Sequence, residues 1–220
     1  HRERRRLNHS LSMTVGMFFH EVGADLLRKM QRNIPQKNCI QSYLKPGAME
    51  KWTDAEYAEK ITAMEERKAQ FNLKGADLGA FRDFLLAKRG VILRMLENQN
   101  LKESSRFVMM IWAITHVSDE LVIRPDLEQL SKEDIEHLEA DLQRAFDLLV
   151  LNWMRYVLHL KKSYPFMYVA ALRYGPFGEA GLPEEVAEGS DPQKGNRPAA
   201  RHETAHIYRN RPSLRGRVAV

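Results

Sequence analysis

The sequence predicts an all-α fold: a single bundle of five or six mostly antiparallel helices around one long central helix, followed by a disordered C-terminal tail. Three observations carry that reading. Apolar residues recur in steps of three, four or seven along much of residues 7–175. No stretch alternates apolar and polar residues as a half-buried strand does. Capping residues precede several of the periodic segments, and proline or glycine follows them.

The first periodic set, Leu11, Val15, Phe18, Phe19, Val22, Leu26 and Met30, predicts a helix over residues 8–33 that Pro35 stops. Residues 34–51 hold Pro35, Pro46 and Gly47 and predict an irregular connector that lays Tyr43 and Leu44 on the core. Thr53 and Glu56 have capping-box spacing, so a second helix starts there. It is expected to reach Gln70 with a narrow apolar side of Tyr57, Ile61 and Met64.

Asp77 caps a third helix bearing Phe81, Phe84, Leu85, Val91, Ile92, Met95 and Leu96, which Gly90 weakens. A fourth runs over residues 102–123 on the stripe Phe107, Met110, Ile111, Ile114, Val117 and Leu121. Pro125 ends it, because a residue before proline is pushed out of the α region. Ser131 and Asp134 open the fifth and longest. Between Phe146 and Leu160 nearly every side of that helix is apolar, so it reads as the central pillar. Helices one, three, four and a short sixth, from Phe166 to Gly175-Pro176, are expected to surround it. Met13, Met17, Met109, Met110 and Trp112 sit at helical spacing and read as ordinary core.

Three regions follow: a basic segment 1–6, a helical-bundle domain 7–175 and a flexible basic tail 176–220. Five glycines and five prolines among the last 45 residues leave the tail too little apolar surface to fold alone. The net charge of +5 is unevenly placed: residues 1–6 carry +3 and residues 197–220 carry +5, leaving −3 on residues 7–196. A body of that sign does not grip nucleic acid, so no specific nucleic-acid partner is predicted. The single cysteine, Cys39, excludes an internal disulfide and fits a reducing compartment.

No apolar run approaches the roughly 20 residues of a membrane span. Arg2, Arg4, Arg5 and Arg6 immediately precede an amphipathic helix, a pattern found on the cytoplasmic side of a span and suited to anionic lipid. The leading expectation is therefore a non-enzymatic, cytoplasmic regulatory or protein-interaction domain at the inner face of a membrane. A segment before His1 would attach it there or hold it nearby. Its partner is a protein or an anionic membrane surface, with self-association open as a further mode.

The alternative is a helical-bundle metalloprotein. His116 and Glu120, four residues apart, share a helix face; Asp119 lies beside them and His20 on the first helix is a further candidate ligand. A divalent transition metal is the ion they would take. The Glu-x-x-His repeats of di-iron bundles are absent, Asp134-x-x-His137 being the nearest match with the shorter acid. His202, Glu203 and His206 in the tail miss the metalloprotease spacing by one residue. No phosphate-binding glycine loop and no activated nucleophile is present, so no catalytic residue and no organic cofactor are expected.

Overall fold

The computed structural model describes residues 13–34, 40, 43–67, 70–97 and 105–178. These residues form seven helices, with no strand among them. Residues 1–12 and 179–220, with Cys39 and the tail histidines, lie outside the described set.

Helix α1 (residues 13–31) contains an unforeseen π-helical turn at Phe19–Gly23 and continues as Ala24–Gln31. The wider turn lets the adjacent side chains Phe18 and Phe19 both be buried, together with Val22. Gly23 is required there. A Cβ on it would meet the rings of Phe19 and Phe18 at 2.6 and 2.7 Å.

The connector places Leu44 fully in the core and Tyr43 against it, as expected, but it also holds a short helix, α2 (Pro46–Met49), started by proline at its first position. Helix α3 (Asp54–Glu66) has the full capping box. Thr53 N donates to Glu56 Oε2 at 2.6 Å and Glu56 N donates to Thr53 Oγ1 at 3.2 Å. It stops four residues before Gln70, because Arg67 turns extended and the chain then buries Phe71 and Leu73. Backbone links hold that segment: Asn72 N donates to Asn33 O, and Leu73 N to Glu139 Oε1.

Asp77 Oδ1 accepts from Ala80 N at 2.8 Å at the start of α4 (Leu78–Glu97), which passes through the solvent-exposed Gly90 unbroken. Helix α5 (Ser105–Ile123) buries all six residues of its predicted stripe. Helix α6 (Lys132–Ser163) begins at the cap Ser131, whose Oγ accepts from Asp134 N, and buries Phe146, Leu149, Val150, Trp153, Met154 and Val157. Helix α7 (Pro165–Tyr174) closes the described domain.

The pillar is real, but one of its neighbours differs from expectation. Helices α5, α7, α3 and α1 pack on α6, whereas α4 packs on α5 and on the π turn of α1. The narrow face of α3 fits the pillar through more than apolar contact. Glu65 pairs with Arg155, Lys162 Nζ lies 3.2 Å from Asp54, and Lys161 Nζ sits 5.5 Å from the Tyr57 ring centre. A second correction concerns side chains read as core: Met13, Met17, Met109 and Trp112 are exposed, the last by 63%. Their partners in sequence, Phe18, Phe19 and Met110, already fill the facing side of each helix.

Candidate metal centre

Helices α5 and α6 are joined by only the eight residues 124–131, so the last turns of α5 lie beside the first turns of α6. The two helices pack on each other, and Val117 and Leu121 on α5 and Leu138 and Leu142 on α6 are all buried in the core. Each of these residues is preceded by a polar one: His116 and Glu120 on α5, His137 and Asp141 on α6. Both polar pairs have i, i+4 spacing, which stacks their side chains along the edge of the interface.

The four side chains converge. Asp141 Oδ2 lies 3.1 Å from His116 Nε2 and 3.2 Å from His137 Nε2. Glu120 Oε2 is 3.5 Å from His137 Nε2, and Glu120 Oε1 is 3.9 Å from His116 Nε2. One donor atom each from His116, Glu120 and His137 lies within 4.8 Å of the others. A metal about 2.1 Å from each ligand holds neighbouring donors roughly 3.0–3.4 Å apart; the two Asp141–imidazole separations match that spacing, whereas the separations from Glu120 must shorten for all four side chains to share one ion.

Burial grades across the site. The Asp141 side chain is 4% exposed and that of Glu120 16%, while the two imidazoles are half-exposed. Asp141 Oδ2 is buried without a well-directed hydrogen bond, although two imidazole nitrogens stand within reach. A buried carboxylate oxygen in that condition is costly unless a cation or a proton donor satisfies it.

Arg124 fixes the other carboxylate. Its Nη1 donates to Glu120 Oε2 at 2.6 Å, and its Nε donates to Asp134 Oδ1 at 3.0 Å. Hydrogen bonding from Arg124 holds the Glu120 carboxyl below the usual carboxylate range, against the opposing effect of burial. Burial pulls the Arg124 guanidinium down, and its bonds to Glu120 and Asp134 overcome that pull. Asp134 is also the residue whose amide is capped by Ser131, so the start of α6 and a candidate ligand on α5 share one hydrogen-bonded chain.

Of the residues nominated from sequence, His116 and Glu120 belong to this cluster. Asp119 does not: one position along the helix it faces α4, where Arg89 Nη1 binds it at 2.7 Å. His20 does not either, since its exposed side chain reaches toward Glu21 and lines a different crevice with Tyr156 and Met167. His137 and Asp141 were missed. The available signal was the spacing His137-x-x-x-Asp141, which repeats that of His116-x-x-x-Glu120 on the next helix. Arg2, Arg4, Arg5 and Arg6 lie outside the described residues, and no described helix is long and apolar enough to cross a membrane.

The family described as "Uncharacterized protein MJ1433, C-terminal helical domain" matches residues 7–173. The chain belongs to this family. A curated relative, Uncharacterized protein MJ1433 of Methanocaldococcus jannaschii, is 33% identical over 177 residues, which are 80% of this chain and 70% of the relative. No solved structure matches the chain. Nearly all of the described helical domain, up to Arg173 in α7, and the whole α5–α6 cluster fall inside the matched region.

Proposed function

We propose that this domain is a helical metal-binding module that holds one divalent transition metal between α5 and α6. His116, His137, Glu120 and Asp141 would be its ligands. The carrying observation is the convergence of two imidazole nitrogens on the buried, poorly satisfied Asp141 Oδ2 at 3.1 and 3.2 Å. Two imidazoles with two carboxylates suit iron, manganese, cobalt or zinc better than magnesium or calcium, which prefer all-oxygen sites. Arg124 then acts as the outer partner that orients Glu120.

Elemental analysis and metal titration of protein purified without an affinity tag test the reading. Wild type is expected to take up a stoichiometric transition metal, and Asp141→Asn to lose most of it. Equal, negligible uptake by both proteins overturns the proposal.

A second reading keeps the expectation of an interaction domain, here through self-association. It is favoured by Met13, Met17 and Met167, each at least half exposed and lining one groove formed by residues of α1, α6 and α7. Sedimentation equilibrium decides it: a monomer mass that does not change with concentration removes this reading.

A further inference from the structure

The metal cluster opens onto a groove of about 470 Å³ whose walls are apolar. The groove is lined by His116 and Asp141 of the cluster together with Met109, Trp112, Leu148 and Arg144. That volume lies within the range of small-molecule sites, and the composition has their usual pattern of apolar walls with a few convergent polar groups. Trp112 is 63% exposed and Met109 57%, so their exposed faces are available to a ligand without unpacking the bundle.

Charge decides what kind of ligand fits. The Arg144 guanidinium stands 3.6 Å from Asp141 Oδ1 with most of its side chain in solvent, leaving donors free to turn into the groove. Without a metal the charged groups at the groove, Asp141 and Arg144, balance, and Glu120 is already matched by Arg124. A bound divalent ion leaves the groove net positive. Four protein ligands also leave a five- or six-coordinate ion with one or two open positions. Nothing among the described residues supplies a further carboxylate at the groove.

We infer that the loaded groove binds a small organic carboxylate, its oxygen on the metal and Arg144 and its apolar, preferably aromatic, body against Trp112 and Met109. This inference rests on the metal reading and extends it. The predicted specificity has two independent halves: the anion selects for the metal-loaded protein, and the ring selects for the Trp112 wall.

The test uses the full chain loaded with cobalt(II), whose visible absorption reports changes in its own coordination, with benzoate as the probe. Benzoate is expected to shift the cobalt bands at concentrations about tenfold below those needed for acetate. Benzamide, of the same shape without the charge, is expected to leave the bands unmoved. At matched cobalt content, Arg144→Gln is expected to weaken benzoate by about tenfold, and Trp112→Ala to reduce benzoate to the level of acetate. Identical titrations with benzoate and acetate overturn the inference. So does benzoate binding of equal strength to metal-free protein, or unmoved cobalt bands. Failure to take up cobalt at all overturns the metal reading and this one together, whereas the other adverse outcomes leave the metal reading standing.

Discussion

His116 of α5 and His137 of α6 place their Nε2 atoms 3.1 and 3.2 Å from the same buried oxygen, Asp141 Oδ2. Their ring centres are 6.4 Å apart and their planes nearly perpendicular. A simple ion pair needs one imidazole; two imidazoles on one carboxylate, with a second carboxylate beside them, are the donor set on which the proposed metal site rests.

That geometry predicts which substitutions remove metal. His137→Ala, at a residue that sequence reasoning passed over as a ligand, is expected to lower metal affinity as severely as His116→Ala. His20→Ala and Asp119→Asn are expected to change it little, since neither side chain faces the cluster. Competition titration against a coloured chelator measures all four. A normal affinity in His137→Ala, or a large loss in His20→Ala, contradicts the assignment.

Arg124 links Glu120 to Asp134 with both its own side chain and that of Glu120 mostly buried. Arg124→Gln leaves the Glu120 carboxylate without its strongest partner and is expected to destabilise the metal-free protein by about 1–3 kcal/mol. It is also expected to weaken metal binding by about tenfold, as losses of outer-sphere partners commonly do. The pH dependence has a definite sign. Because Glu120 is held below its ordinary value, its contribution is present at neutral pH and lost as pH falls through the folded-state value. Wild type and Arg124→Gln should therefore converge in stability in acid, below the ordinary carboxylate range, and diverge toward neutrality. Urea unfolding across that range, followed by circular dichroism, checks it.

At the opposite end of α6, the Tyr168 hydroxyl donates to Met49 O at 2.7 Å and lies 3.1 Å from the Tyr57 hydroxyl. Burial first, and then the Tyr168 contact, push the Tyr57 phenol far above the ordinary tyrosine value; burial likewise raises Tyr168. Both groups stay protonated in the folded chain where the unfolded chain would ionise. Stability is accordingly complete below a pH of about 10 and falls as pH rises beyond it. Tyr57→Phe is expected to flatten this alkaline loss and to cost about 1 kcal/mol at neutral pH through the lost hydrogen bond. Denaturation midpoints from neutral to alkaline pH measure both effects.

Phe146 is fully buried on α6 and meets Phe71 edge-on at 5.7 Å. Phe146→Ala is expected to cost about 3–5 kcal/mol, because the helices around the pillar can close only part of the cavity. Met17→Ala, by contrast, removes a half-exposed side chain and is expected to fall within about 0.5 kcal/mol of wild type. A loss below about 1 kcal/mol at Phe146 would show that the pillar is not the centre of the core.

Much of the bundle was legible in the one-dimensional pattern. Helical periodicity depends on neighbours three and four residues apart, and the caps at Thr53, Asp77 and Ser131 are local hydrogen bonds. Such features survive translation from sequence to structure. The π turn at Phe19–Gly23 did not: only the crowding of Phe18, Phe19 and Gly23 reveals the extra residue. The exposure of Trp112 and Met109 was equally hidden, because a helix with apolar residues on several sides does not announce which side its neighbours leave uncovered.

The sequence by itself determined the all-α class, the long helix from Ser131, the stripe Phe107–Leu121 and the pairing of His116 with Glu120 on one helix face. Only the tertiary structure decided that α3 rather than α4 flanks the pillar, and that His137 and Asp141 join His116 and Glu120 while Asp119 and His20 do not. The reason is physical. Periodicity fixes the direction of each side chain relative to its own helix, but the rotation and register of α5 against α6 come from how their buried faces, which include Val117, Leu121, Leu138 and Leu142, pack together, and no single-helix pattern contains that.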